Sequence, residues 1–302
     1  EDIINEKKQE GQNIGEDINQ LKAEFPNLSV ITNEVGKGKK AALQSGINIA
    51  KHPILVTVDA DCRVPSEWLT TMLSHWKKET TKMLLGPIVL EPANTVFERV
   101  QALEMHAIMG LTGGFAAHKK PIMANGANLF FDKAAFSEIG GYSNNANPSG
   151  DDVFTMLNFS EKWPESVQFV KDYEAAILSR PQAKFSDFWQ QRKRWMSKNV
   201  EYSHWLVKST ALITFLANAA TFASLIFIIT ALGSYWTDKL MWILFIKTLA
   251  DLIITRNVSR DLQPYCGIAN ILVTEVFVSF YVTILGVFGN FGGYRWKGRS
   301  ID

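Results

Sequence analysis

The stretch "ILVTVDADCRVPSEW", Ile54–Trp68, runs from aliphatic residues straight into Asp59 and Asp61 and then turns at Pro65. In a strand, residues two apart project to the same side, and the carboxyl end of an α/β sheet opens into a ligand crevice. Two carboxylates on one side select a hard cation, Mg²⁺ or Mn²⁺, which commonly shares its shell with a diphosphate. The plainer alternative is a turn acid beside a helix that starts near Glu67 and is capped by Ser66. Three further stretches supply parts for the same chemistry. "VGKGKKAALQSGINIA" sets glycines and lysines, Lys39 among them, ahead of an amphipathic helix. Backbone N–H groups, a positive helix end and ammonium charge then face an anion, although the P-loop spacing is absent. "PSGDDVFTML" puts Asp151 and Asp152 after a Pro-Ser-Gly turn at a helix start, where a plain N-terminal cap is the competing reading. "WQQRKRWM" joins guanidiniums, an amide and aromatic rings in one amphipathic turn, a pattern that also suits a basic stripe flanking a membrane.

The elements that must position these residues follow from composition and charge. A chain of 302 residues with 47% hydrophobic content holds one large domain or two small ones. Its net charge of +1 argues against a strongly basic nucleic-acid binder, so no nucleic-acid partner is expected. Cys62 and Cys266 suggest neither a disulfide framework nor a zinc site and are compatible with a reducing compartment. The histidines show no metal-ligand spacing. Glu1 to His204 reads as a soluble α/β domain, with strands expected at Leu28–Thr32, Ile54–Val58 and Met83–Val89. The charged opening, without a signal peptide, predicts a solvated helix broken near Gly11 to Gly15. Ser209–Thr237 carries no charge and is long enough to span a bilayer. Leu262–Tyr294 is interrupted only by Glu275, and the apolar segment between them, Leu240–Thr255, holds Lys247 and Asp251 four apart. Basic clusters follow this middle segment (Arg256, Arg260) and end the chain (Arg295, Lys297, Arg299), and the two disagree over topology. With three spans the C-terminus lies opposite the soluble domain; with the middle segment interfacial or one segment re-entrant, it lies on the same side.

All four motifs in this order, followed by apolar segments, resemble the family 2 glycosyltransferases of the GT-A fold. The likeness is to the membrane-bound branch, which includes synthases of cellulose, chitin and hyaluronan type and many bacterial lipid and polysaccharide glycosyltransferases. It runs from about Val30 to the terminal "YRWKGR". The fold it implies is α/β: a GT-A, Rossmann-like nucleotide-sugar-binding domain over residues 1–204, then a transmembrane region over 205–302 with two or three helices. The resemblance gives Asp61 the metal under the donor diphosphate, with Asp59 beside it toward the ribose or the metal. Lys39 lies near the nucleotide. In "NGANLFFDKAAFSEIGGY", Asn125, Gly126 and Asn128 line the sugar or acceptor pocket, and Asp151 accompanies them. Asp152 is the catalytic base, and Gln191, Arg194 and Trp195 form the Q-x-x-R-W motif at the diphosphate and the acceptor mouth. Family members begin with a strand and turn that hold the nucleobase, and Glu1 to Phe25 contains no aliphatic run suited to that strand. The resemblance implies a bacterial member, and the expectation is that either its first strand is not part of this chain or its nucleotide pocket is incomplete.

The implied enzyme is a hexosyltransferase that uses Mg²⁺ or Mn²⁺, takes a UDP- or GDP-sugar, and passes the sugar to a lipid, lipid-linked or polysaccharide acceptor of the cell envelope. It is a multi-pass protein of the cell (inner) membrane with its catalytic domain on the cytosolic side. A metal and an arginine offset the charge growing on the leaving diphosphate, and a carboxylate takes the acceptor proton in one inverting displacement. The alternatives are a catalytically incomplete GT-A-fold binding or regulatory membrane protein and a transporter-like protein with a cytosolic domain. So few apolar segments favour single-sugar transfer over polymer extrusion.

Overall fold

The computed structural model describes residues 14–31, 39–144, 151–199, 202, 204–230, 235–262, 267–289, 293–296 and 299–301. At 14–17, 143–144, 151, 198–199, 259–262, 294–296 and 299–301 it describes the backbone alone. Six strands lie in the part of the chain before the long apolar helices: β1 (Ile54–Thr57), β2 (Met83–Leu85), β3 (Ile88–Leu90), β4 (Leu129–Asp132), β5 (Val167–Phe169) and β6 (Ile177–Ser179). Four make a mixed sheet in the order β1-β4-β2-β5, with β4 antiparallel to both neighbours and β2 parallel to β5. β3 pairs in parallel with β6 as a separate ribbon. Every side chain of β2 and β3 is buried, which is what strands covered on both faces produce and why they read as continuous apolar runs.

Two strand expectations need correction. Met83–Val89 is not one strand, because Pro87 has no N–H for a ladder and a side chain at Gly86 would fall 2.2 Å from the carboxamide of Asn128. Leu28–Thr32 forms no strand over its described part, 28–31, where Leu28, Val30 and Ile31 are exposed; Thr32 lies outside the described residues.

The first helices are α1 (Ile14–Glu24), α2 (Lys39–Ile49) and α3 (Trp68–Ser74). Glu67 is the N-cap of α3 and makes no side-chain capping bond, so Ser66 does not cap it as expected. Of the opening segment, α1 is helical, and the break near Gly11 lies outside the described residues. Helix α4 (Val96–Ala117) opens with a capping box in which the Thr95 hydroxyl accepts from Glu98 N–H and the Glu98 carboxylate accepts from Thr95 N–H. α4 packs on β3 and β5 on one side and on two C-terminal helices on the other. Glycines allow the approach: a Cβ at Gly113 would stand 2.8 Å from the Phe169 ring, and one at Gly110 2.9 Å from Val258. Helices α5 (Lys133–Glu138), α6 (Asp151–Lys162) and α7 (Phe185–Asn199) complete this part.

Helices α8 (Trp205–Thr230), α9 (Tyr235–Leu262) and α10 (Ile268–Phe288) follow, and then the strands β7 (Tyr294–Trp296) and β8 (Arg299–Ile301), an antiparallel hairpin. α8 and α10 are long and apolar enough to cross a membrane. They run antiparallel, since Phe215 lies against Gly286 while Phe222 meets Phe280 at 5.7 Å between ring centroids. The uncharged run Ser209–Thr237 does not form one helix: α8 ends at Thr230, and Tyr235–Thr237 already belong to α9. The hairpin rests against α7, where Lys193 Nζ donates to the Gly293 carbonyl at 3.0 Å.

Candidate active site

Four residues far apart in sequence converge. β1 delivers the chain to Asp59, where Cys62 N–H donates to the Asp59 carbonyl at 3.1 Å and closes a turn. Both acids therefore lie beyond the strand, which ends at Thr57, and the turn rather than strand alternation positions them. The ammonium of Lys39, at the first turn of α2, pairs with the Asp59 carboxylate. From the other side, Asp152 in the first turn of α6 accepts through Oδ2 from Gly126 N–H at 2.9 Å and through Oδ1 from its neighbour Val153 N–H at 3.0 Å. A Cβ at Gly126 would lie 3.6 Å from Asp152 Oδ2 and 3.8 Å from Lys39 Nζ, so the bare glycine backbone sits between both charges. Asn125 shapes that loop, its Oδ1 accepting from Ala127 N–H at 3.1 Å. Lys39, Asp59, Asp61, Asn125, Gly126 and Asp152 all line one cavity of about 3080 Å³.

Asn128 is a correction. It is fully buried and absent from the cavity wall, with Nδ2 donating to the carbonyls of Pro87 (2.8 Å) and Ala175 (2.9 Å) and Oδ1 accepting from Trp68 Nε1–H (3.1 Å). It stitches the β2–β3 junction to α3 and to the approach of β6, a structural role rather than an acceptor contact. The Asp151 side chain lies outside the described residues, as do residues 36–38 and Cys266.

Whether a divalent ion suits the acidic turn depends on the donor set there. Asp61 is exposed on the turn, and Cys62 Sγ lies 3.9 Å from its Oδ1. Burial first, then Asp61 and Asp59, push the Cys62 thiol up to about 11, far from the ready thiolate that a soft-metal site presents. Oxygen ligands alone remain. Among the described residues no third carboxylate, histidine or cysteine joins Asp59 and Asp61. An ion here fits only if ligand oxygens and water complete its shell, which is the habit of Mg²⁺ and Mn²⁺ at phosphates.

Gln191, Arg194 and Trp195 on α7 line the same cavity. The residue between them, Arg192, decides how they are held. Its Nε donates to both Glu104 carboxylate oxygens at 3.1 and 3.2 Å, Nη2 donates to Oε2 at 2.5 Å, and Nη1 donates to Gln191 Oε1. The guanidinium lies 4.4 Å from the Phe188 ring centroid and 4.2 Å from that of Trp195. Tyr281 of α10 donates its hydroxyl to the same Glu104 carboxylate. Burial alone would lower the Arg192 pKa, but Glu104 and Tyr281 outweigh it and hold the value above its ordinary one. Sequence reading missed Glu104, Arg192 and Tyr281. The available signal was a lone acid in the apolar run "ALEMHAIMG".

The family model for glycosyl transferase family group 2 matches residues 54–255, more than half of the chain. The chain belongs to that family. It is a glycosyltransferase, and its family implies a nucleotide-sugar donor and an acceptor. The match starts at the first residue of β1 and takes in Asp59, Asp61, the Asn125 loop, Asp152 and all of α7, while Lys39 lies before it. No curated protein matches the glycosyltransferase. Its architecture is the expected class, an α/β GT-A domain followed by apolar helices suited to crossing a membrane.

Proposed function

We propose that the glycosyltransferase moves a sugar from a UDP- or GDP-sugar to a hydroxyl of a lipid, lipid-linked or glycan acceptor in one inverting displacement at the cytosolic face of the cell (inner) membrane. The observation that carries this reading is the meeting of Lys39, Asp59, Gly126 and Asp152 in one cavity, with Gln191, Arg194 and Trp195 in its wall. The bond from the anomeric carbon to the diphosphate oxygen breaks as the acceptor oxygen bonds to that carbon. Asp152 takes the acceptor proton. Lys39 and Arg194 offset charge on the departing diphosphate, and Gln191 and Trp195 orient it. Asn125 and Gly126 bound the sugar and acceptor side, and Asp151 stands next to them in sequence. Asp61, with Asp59, would hold Mg²⁺ or Mn²⁺, which when bound neutralises charge on the leaving group.

In this reading residues 1–204 are catalytic and 205–302 form the membrane region. α8 and α10 cross as an antiparallel pair. α9, with Lys247 and Asp251 at its middle, does not. An even number of crossings agrees with a C-terminal hairpin that touches α7, and Arg295, Lys297 and Arg299 favour the cytosol for that side. Side chains such as Ile213, Ile229 and Ile268 are more than 60% exposed along α8 and α10, as lipid contact requires and a soluble core helix does not. The chain should stay in the pellet after carbonate washing; release into the supernatant would refute the crossings. The chemistry is tested with Asp152→Asn. Transfer should fall roughly 10²–10⁴-fold with donor affinity kept, whereas a mere cap would tolerate Asn almost silently. Chelation should reduce donor binding in wild type, and Asp61→Ala should remove that sensitivity.

A further inference from the structure

The cavity that starts at Lys39 and Asp152 does not stop at α7. Its wall continues between the C-terminal helices past Asn218 of α8, Lys247 and Asp251 of α9 and Glu275 of α10. Lys247 Nζ donates to Asp251 Oδ2 at 2.8 Å and pairs with Glu275. One ammonium is thus shared between two carboxyl groups and is not free for an anion. Asn218 is only 5% exposed. Its Nδ2 donates to the Thr214 carbonyl one turn back at 2.8 Å, and its Oδ1 is buried with no hydrogen-bond partner among the described residues. Glu275 Oε1 has the Lys247 ammonium beside it and accepts from no other group among the described residues. Other polar groups nearby are satisfied inside their own helices, Thr221 on the Ala217 carbonyl and Thr274 on that of Asn270. The unmet capacity is thus for acceptors, and a ligand that supplies hydrogen-bond donors restores what burial costs. Ile213 (66% exposed) and Ile254 (38% exposed) line the cavity and also face outward, which gives it an apolar rim on the side of the helices.

We propose that this chamber receives the acceptor as a lipid with an uncharged, hydroxyl-rich head. The head's hydroxyls donate to Asn218 Oδ1 and Glu275, and its tail leaves past Ile213 and Ile254. A phosphate head offers acceptors where donors are wanted, and it finds Lys247 already held by two carboxyl groups. This rests on the reading of the chain as a transferase to a hydroxyl acceptor, and it specifies which hydroxyl-bearing molecule enters.

The test is photolabelling of the full chain in nanodiscs, with a maltoside whose alkyl chain carries a diazirine and with an alkyl phosphate of the same chain. The maltoside should label α8 and α10 at least about fivefold more than the phosphate, roughly the value of one buried hydrogen bond, and Asn218→Leu should erase the difference. Equal labelling by both probes, or an unchanged difference in Asn218→Leu, overturns the proposal. Should that variant fail to fold, wild type decides: excess dodecyl maltoside suppresses the labelling if the site exists, and persistent labelling overturns it. Free maltose at the same concentration should not compete; competition equal to that of dodecyl maltoside overturns the lipid assignment. The labelling needs no nucleotide sugar, so its outcome is separate from that of Asp152→Asn.

Discussion

Arg192 and Lys247 are both cations held by carboxylates inside one protein, yet their surroundings differ. Arg192 presents a planar fork whose three nitrogens each donate to Glu104 or Gln191 between two aromatic rings, and the side chains of Arg192 and Glu104 are 3% and 10% exposed. Lys247 is a point charge shared by Asp251, 41% exposed, and Glu275, and the carbonyl oxygen of Asn218 in the same cavity has no partner among the described residues. A closed network rigidifies what it joins. It ties α4, α7 and α10 together and so couples the Q-x-x-R-W helix to the apolar region. An open network keeps capacity for a ligand. The lesson is that satisfaction of hydrogen bonds, more than burial of charge, separates a brace from a site.

The largest expected effect comes from breaking the closed network. Glu104→Ala strands a buried guanidinium and should cost about 3–5 kcal/mol in denaturant unfolding, the range for removing one partner of a buried pair. Lys247→Met should cost markedly less, because Asp251 can hydrate; equal losses would erase the distinction drawn between the clusters. Arg192→Lys keeps the charge but loses the fork that holds Gln191, and should cost about 1–3 kcal/mol through unsatisfied partners. It should also lower kcat more than it raises KM if Gln191 acts on the leaving diphosphate, and a change confined to KM would show the brace to be irrelevant to chemistry.

A third measurement concerns α4 alone. His106 is fully buried in it, and burial lowers its pKa from about 6.5 to about 4. Below pH 6.5 the unfolded chain takes up the proton first, so stability present above that pH is lost as pH falls toward 4. The loss should reach on the order of 3 kcal/mol, and His106→Leu should flatten that part of the profile. An unchanged slope would mean that other groups carry it.

Much of the site was legible because its chemistry is local. A D-x-D ending an aliphatic run, a lysine at a helix start and an acid at another helix start each announce themselves within a few residues, and Lys39, Asp59 and Asp152 do share a cavity. Asn128 was misread for the opposite reason. "NGAN" offers two asparagines, and which of them turns inward depends on Gly86, Trp68 and Ala175, all at least forty residues away. The break in Met83–Val89 was half legible, since Pro87 marks it within the run while the Asn128 carboxamide packed against Gly86 comes from a distant segment. The three-member brace was invisible because Glu104, Arg192 and Tyr281 are 88 and 89 positions apart in turn.

By itself, the amino-acid sequence determined the residue types for diphosphate chemistry, their order, the apolar character of α8 and α10, and with these the family. Those properties are carried by short windows, through periodicity, charge and helix-start signals. Tertiary structure alone decided which acids meet Lys39, which asparagine is structural, that α8 and α10 run antiparallel with the C-terminal hairpin back against α7, and that one charged cluster is closed while the other is open. These depend on contacts between distant segments, where the partner that satisfies or strands a polar group is supplied by another part of the fold.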